Sequence, residues 1–176
     1  MTSKRKIVLY IAASLDGFIA REDGSIDWLE AAEGEGDNGY SAFYDTVDTI
    51  IMGNKTYQHT KVLADEFPYR GKKCYVFSRQ NQTDDDHVQF INEDIPSFIH
   101  KLKEQDGLKI WIVGGADLLD AFLKEKLVDE FVVAIIPAIL GNGIPLFKEN
   151  NPELKLKLTK MKQYGQIAIL NYKKID

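Results

Sequence analysis

Three short segments of this chain place glycine where a strand gives way to a helix or turn: "ASLDGFI" (Ala13–Ile19), "GNKT" (Gly53–Thr56) and "GGAD" (Gly114–Asp117). The chemistry open to such segments is anion binding. Backbone N–H groups at a helix start have no intrahelical acceptor, and a neighbouring glycine lets phosphate oxygens approach without meeting a Cβ. The first segment adds a second property. Phe18, Ile19, Ile26 and Trp28 recur in a stretch that is still turning, through Asp16-Gly17 and Asp23-Gly24. A loop with that much apolar surface suits a cover over a flat, partly apolar ligand. Each feature alone has an ordinary reading: Gly114-Gly115 as a tight strand-to-helix turn, the Asp-Gly pairs as plain turns, Arg79 as a surface arginine, Trp28 as partial core, and Tyr40, Phe43 and Tyr44 as cover for a sheet. Their joint arrangement is what points to a ligand. The common dinucleotide and P-loop signatures are missing, since Gly34–Gly39 does not follow a strand with G-x-G-x-x-G spacing and no G-x-x-x-x-G-K-[ST] occurs.

The elements that must position these segments follow from periodicity. Lys6–Ala12 is a nearly continuous apolar run, as expected of a strand covered on both faces. Tyr40, Phe43, Tyr44 and Val47 predict a short helix opened by Asp37 or Asn38. Thr49–Met52 and Lys73–Phe77 predict strands, with a helical turn or two over Lys55–His59 between them and a short edge-like strand over Val88–Ile91. Ile95, Phe98, Ile99 and Leu102 make one helical stripe, with Pro96 in its first turn. Lys109–Val113, Gly114-Gly115 and Ala116–Lys126 predict a strand, a turn and a helix. Phe131–Ile136 is another buried strand, and Leu154–Leu158 with Ile167–Tyr172 predict a closing antiparallel hairpin around Tyr164-Gly165-Gln166. The expected fold is a three-layer αβα domain over residues 1–176, with a central mixed, mostly parallel sheet and an antiparallel C-terminal hairpin. In such a sheet the three glycine segments lie outside the carboxyl ends of the strands, where ligands bind.

Composition narrows the partners. The chain has 176 residues and a formal net charge of −5 with interspersed charges, which disfavours nucleic acid and anionic membrane. A single cysteine, Cys74, excludes an intrachain disulfide and a cysteine metal cluster, and His59, His87 and His100 lack zinc-like spacing, so no metal is expected. No signal peptide or long apolar run is visible, and the expected location is cytoplasmic. A homodimer is the expected assembly, with Phe131–Leu140 as a contact or as core.

The segments "IAASLDGFIAREDGSIDWL" (11–29), "IIMGNKTYQ" (50–58), "YVFSR" (75–79) and "IWIVGGADLLDAFLKEKLVDEFVVAIIPAILGNGIPLF" (110–147) resemble, in order and spacing, the successive signatures of the dihydrofolate reductase-like superfamily. Within it, the chain is most similar to stand-alone relatives of the C-terminal reductase domain of the bifunctional riboflavin-biosynthesis deaminase/reductase.

The resemblance implies an NADPH-dependent reductase of a small polar heterocyclic or ribosylamino substrate, in one version 5-amino-6-(5-phosphoribosylamino)uracil. The alternatives are a nucleotide-binding homodimer without turnover and a dihydrofolate reductase. It implies that Ala12 and Ala13 lie near the nicotinamide, with Phe18 and Ile19 closing over it. Gly53, Asn54, Lys55 and Thr56 approach the phosphates, Ser78 and Arg79 the adenosine ribose region, and Gly114, Gly115, Ala116 and Asp117 the pyrophosphate and nicotinamide end. Ser14, Trp28, Tyr40, Phe43 and Tyr44 are the implied substrate contacts, and Asp16 or Asp37 the implied proton donor, with water as the other source. Two departures accompany it. Asn54 stands where the family has an arginine for the 2'-phosphate, leaving that role to Lys55 and Arg79. Asp37 lies two positions before the match to the folate enzymes' acidic residue, which argues against dihydrofolate as substrate.

Overall fold

The run "IVLYIAAS" forms the strand β1 (Ile7–Ser14), and its length is set by its neighbours: pairing with the parallel strand β7 (Glu130–Ile136) continues to Ser14↔Ile136, two residues past the expected end. The structure, a computed structural model, describes residues 4–175. The remaining strands are β2 (Phe18–Ala20), β3 (Val47–Gly53), β4 (Lys73–Phe77), β5 (Gln89–Ile91), β6 (Lys109–Gly114), β8 (Ile144–Pro145), β9 (Leu156–Tyr164) and β10 (Ile167–Lys174). The helices are α1 (Asp27–Glu30), α2 (Tyr40–Tyr44), α3 (Asn54–Leu63), α4 (Ile95–Lys103) and α5 (Ala116–Lys124). Eight strands make one sheet in the order β5-β4-β3-β6-β1-β7-β10-β9. The first six named are parallel, and β10 runs antiparallel to both β7 and β9.

Alternation along the central strands sends two apolar sets to opposite faces. Ile7 and Leu9 of β1, Ile51 of β3 and Ile110 and Ile112 of β6 meet Phe98, Ile99 and Leu102 of α4 and Leu118, Leu119 and Phe122 of α5. Val8, Ile50, Met52, Val76 and Trp111 face the other way and meet Tyr57 of α3 and the aromatic face of α2. Helices therefore cover both sides of the parallel strands, the three-layer arrangement expected.

Several boundaries differ from the expectation for identifiable reasons. α2 stops at Tyr44 because Val47 is already the first residue of β3. α3 runs on to Leu63 although only Tyr57 is buried, so it carries almost no apolar stripe to read. α1 and a two-stranded sheet, β2 with β8, were not expected. Of the expected contact Phe131–Leu140, Phe131–Ile136 is an interior strand between β1 and β10, while Ile139 in the segment after it is exposed. The edge strand β9 also carries exposed apolar side chains, Leu156, Leu158 and Met161.

The amino ends of the strands are closed by paired polar groups. Arg5, 6 % exposed, donates through Nε to the Leu108 carbonyl at 2.7 Å and through Nη2 to Thr49 Oγ1 at 2.8 Å, and pairs with Asp48. The other Asp48 oxygen accepts Leu108 N–H at 2.8 Å. Asp129 Oδ2 accepts Ile7 N–H and binds Lys103 Nζ, both at 2.8 Å. Among the described residues no helix is long and apolar enough to cross a membrane.

Candidate dinucleotide site at the carboxyl ends of the strands

The opposite rim is built differently. β3 and β6 are adjacent, their register runs to Met52↔Gly114, and α3 starts directly after Gly53 and α5 with one residue between it and Gly114. A Cβ on Gly53 would lie 3.8 Å from the Gly115 nitrogen, and one on Gly115 would lie 3.2 Å from Thr56 Oγ1. Gly115 has an ordinary φ of −81°, so glycine is needed there for close approach and not for backbone conformation. The result is that α3 and α5 start side by side. Gly53 and Gly115 are their N-caps, and neither helix start has a side-chain hydrogen bond capping it. α4 begins on the same rim and is capped, since Asp94 accepts Ser97 N–H at 3.0 Å. Two of three helix starts thus keep free N–H groups, and these two converge.

The charged side chains suit the same ligand. Lys55 and Arg79 are exposed and have no ion-pair partner among the described residues. Asp117, in the first turn of α5, pairs with Lys148, which holds its carboxyl below the usual range, with Lys55 and Arg79 adding to the effect. Lys148, Lys55 and Arg79, from different parts of the chain, thus all act on the Asp117 carboxyl. Ala116 opens α5 beside them. Asn54 Oδ1 accepts from Gln58 Nε2 at 3.3 Å, and Ser78 Oγ accepts from Gln80 N–H and Gln82 Nε2, which shapes the turn carrying Arg79. Lys148 carries no motif and was not singled out in the sequence.

The loop after β1 is fastened, not loose. Ser14 Oγ accepts Phe18 N–H at 3.0 Å and donates to Asp16 Oδ1 at 2.7 Å. Asp16 accepts Leu140 N–H at 3.1 Å and Gly141 N–H at 2.8 Å. β2 then pairs with β8 through Phe18↔Pro145 and Ala20↔Ile144, and Leu146 N–H donates to the Gly17 carbonyl at 2.8 Å. Phe18 and Ile19 are half-buried, with Ile19 against the central core. At the end of β1, Ala13 faces the α5 side while Ala12 packs with Trp28, Ile136 and Ile169 on the other.

Both expected acids are engaged in local hydrogen bonds. Asp16 is held below the ordinary carboxyl range by the Ser14 hydroxyl first, with Gly141 and Leu140 N–H assisting, and it serves as a loop latch. Asp37 lies before α2 with its oxygens accepting Gly39 N–H at 2.9 Å and Ser41 N–H at 2.8 Å, and the Ser41 hydroxyl leads in lowering its pKa. Both are exposed carboxylates at neutral pH, with no proton to give. The aromatic residues resolve toward sheet cover. Phe43 stacks on Tyr10 at 4.1 Å, Tyr40 and Tyr44 stack at 5.6 Å, and Tyr40 and Phe43 meet Trp111 edge-on. Trp28 is buried against β7 and β10, with its indole N–H lacking an acceptor among the described residues. Among the described residues no group of three His, Cys, Asp or Glu side chains is arranged to hold a metal ion.

Comparison with known proteins agrees with this architecture. The Bacillus subtilis (strain 168) protein YwjB is 56% identical over 170 residues, spanning 96% of this chain and 98% of YwjB. A crystal structure of a Shewanella sp. PV-4 protein named for riboflavin biosynthesis superposes with a TM-score of 0.86 at 28% identity, over 97% of this chain and 99% of that one. Dihydrofolate reductase from Enterococcus faecalis, complexed with NADP(H), shares the fold at a TM-score of 0.66 and 15% identity, over 97% of both chains. The family described as the RibD C-terminal domain matches residues 5–170, and this chain, with its dihydrofolate reductase-like fold, belongs to that family.

Proposed function

We propose that this protein is an NADPH-dependent reductase of a small polar heterocyclic or ribosylamino substrate, of the class represented by 5-amino-6-(5-phosphoribosylamino)uracil. The observation that carries the reading is the pair of helix starts at Gly53 and Gly115, side by side and without side-chain caps, with Lys55 and Arg79 beside them. Free N–H groups at a helix start complement phosphate, and two starts with two cations suit a pyrophosphate bearing a further phosphate. The dinucleotide, when bound, supplies the hydride. The chain's own work is placement and exclusion of water. The Gly53–Thr56 and Gly114–Asp117 segments hold the phosphates, Lys55 and Arg79 answer the 2'-phosphate in place of the arginine that Asn54 replaces, and the Ala12-Ala13 edge supports the nicotinamide. Phe18 and Ile19 shield the reacting centre, while Ser14 and Trp28 border the substrate. Because Asp16 and Asp37 are ionised, water delivers the proton. Dihydrofolate is a poor substrate in this account, since Asp37 is an exposed helix cap and not a pocket acid.

One observation favours a second reading, nucleotide binding without turnover: Asp16 is taken up by Ser14, Leu140 and Gly141 in the loop, and Asp37 by Gly39 and Ser41 at the start of α2. Titration with NADPH followed by an oxidation assay over a panel of ribosylaminopyrimidines, pterins and quinones separates the two. Saturable binding with consumption of NADPH by a pyrimidine supports the reductase. Binding with no consumption across the panel supports the second reading. The protein acts as a homodimer in this proposal, joined through the uncovered side of β9, and substitution of Leu158 and Met161 by lysine then yields a monomer in sedimentation.

A further inference from the structure

Residues 137–148 run as a strap across the loop that the proposed function places over the nicotinamide. It is tied to that loop along its length: Leu15 N–H donates to the Ala138 carbonyl at 2.8 Å, Asp16 accepts from Leu140 and Gly141, β8 pairs with β2, and Leu146 N–H reaches Gly17. Gly143 shows how tight the fit is. It has a φ of +149°, and a Cβ there would collide with the Ala20 carbonyl oxygen. At its far end the strap meets the phosphate rim, because Lys148 pairs with Asp117 in the first turn of α5.

That pair sits at an awkward place for a purely structural contact. Asp117 puts a negative charge where a phosphate must bind, and its side chain is 68% exposed, so the ion pair contributes little to stability. Lys148 cancels the charge and at the same time fixes the end of the strap. Through the strap it also fixes Gly17 and Phe18, which the strap holds by Leu146 N–H and by β8. We propose that Lys148 is a positioning residue that couples the charge at the α5 start to the placement of the lid, so that phosphate binding and lid closure are linked through one side chain. This rests on the dinucleotide reading above.

The test uses the full chain and NADPH as the probe, with Lys148→Met, Lys148→Arg, Asp117→Asn and the double variant Asp117→Asn/Lys148→Met. Two quantities are measured on each: the Kd for NADPH, and hydrogen exchange at the Phe18 and Leu146 amides in the free protein. Lys148→Met is expected to raise Kd roughly five- to tenfold, an effect of the size known for one charge at a helix terminus, and to speed exchange at both amides. Lys148→Arg restores both. In the double variant the stray carboxylate is gone but the strap end is still free, so Kd recovers only in part while exchange stays fast, and full recovery of Kd with fast exchange would overturn the coupling. A merely structural lysine would not give that split. Unchanged exchange in Lys148→Met, with NADPH binding intact in the wild type, overturns the coupling and leaves the dinucleotide reading standing. Absence of saturable NADPH binding in the wild type overturns both.

Discussion

The two ends of the central sheet treat polar groups in opposite ways. At the amino ends, Arg5, Asp48, Thr49 and Leu108 satisfy one another, and Asp129 binds both the Ile7 amide and Lys103. At the carboxyl ends, two helix starts have no side-chain cap and two cations have no partner among the described residues. α4 is the internal control, because it starts on the same rim and has its Asp94 cap. Uncapped starts are therefore not a property of the rim as such. The two that follow β3 and β6 adjoin each other at the centre of the sheet, and unsatisfied donors kept together at that place are what a bound anion would satisfy.

The comparison is broken first at the closed end. Arg5→Met removes a buried donor set and leaves the Leu108 carbonyl without its donor and Asp48 without its cation, at a cost of about 3 kcal/mol. Chemical denaturation reads that loss, and NADPH affinity of the folded fraction stays within a factor of two. The open end responds the other way. Lys55→Ala and Arg79→Ala each raise the NADPH Kd roughly tenfold, as expected for a charge-assisted phosphate contact, while unfolding midpoints stay within about 0.5 kcal/mol of wild type.

Capping the open end sharpens the contrast. Gly53 has an ordinary φ of −78°, and a Cβ there meets its nearest neighbours at 3.8–3.9 Å, so Gly53→Asp fits without strain. It supplies α3 with a cap, raises stability by a few tenths of a kcal/mol, and weakens NADPH binding by placing a carboxylate where the phosphate goes. Asp94→Ala is the mirror experiment: it costs about 1 kcal/mol of stability with no change in Kd. An outcome in which Gly53→Asp binds NADPH as wild type would remove the α3 start from the site.

The smallest effect expected is with pH. Asp16, Asp37 and Asp117 all have depressed folded-state pKa values, through the Ser14 hydroxyl, the Ser41 hydroxyl and Lys148 respectively. Depressed carboxyls contribute stability that is present above their unfolded value of about 3.9 and lost as pH falls through the lower folded values. From pH 5 to 8 the lid latch, the α2 cap and the Asp117–Lys148 pair stay ionised. Amide exchange at Phe18, corrected for its intrinsic pH dependence, is flat over that range, and kcat/KM shows no carboxylate limb there.

The sheet was legible because its strands write themselves in apolar runs: Lys73–Phe77 has the expected bounds, and Lys109–Gly114 differs by one residue. The glycine junctions were legible because a tight strand-to-helix turn needs residues of that type. What the sequence hid depends on partners far along the chain. Asp16 reads as an acid until Leu140 and Gly141 are seen donating to it across more than 120 positions, and Lys148 is an unremarkable lysine until β8 carries it to Asp117. β2 and β8 have three and two residues, too short for any alternation to show. Tyr40, Phe43 and Tyr44 look equally like a pocket wall or a core face, and only the contacts of Phe43 with Tyr10 and Trp111, of Tyr40 with Trp111 and of Tyr44 with Tyr40 show the packing they make.

The most direct test of the carboxyl-end rim as a dinucleotide site is a pair of titrations, NADPH and NADH, at matched ionic strength, followed by quenching of the tryptophan emission. The account predicts saturable binding of one NADPH per chain, at least tenfold tighter than NADH, with the gap closing in the Lys55→Ala/Arg79→Ala variant because the 2'-phosphate has lost its cations. Equal dissociation constants for the two nucleotides in the wild type, or no saturable binding of either, would contradict it.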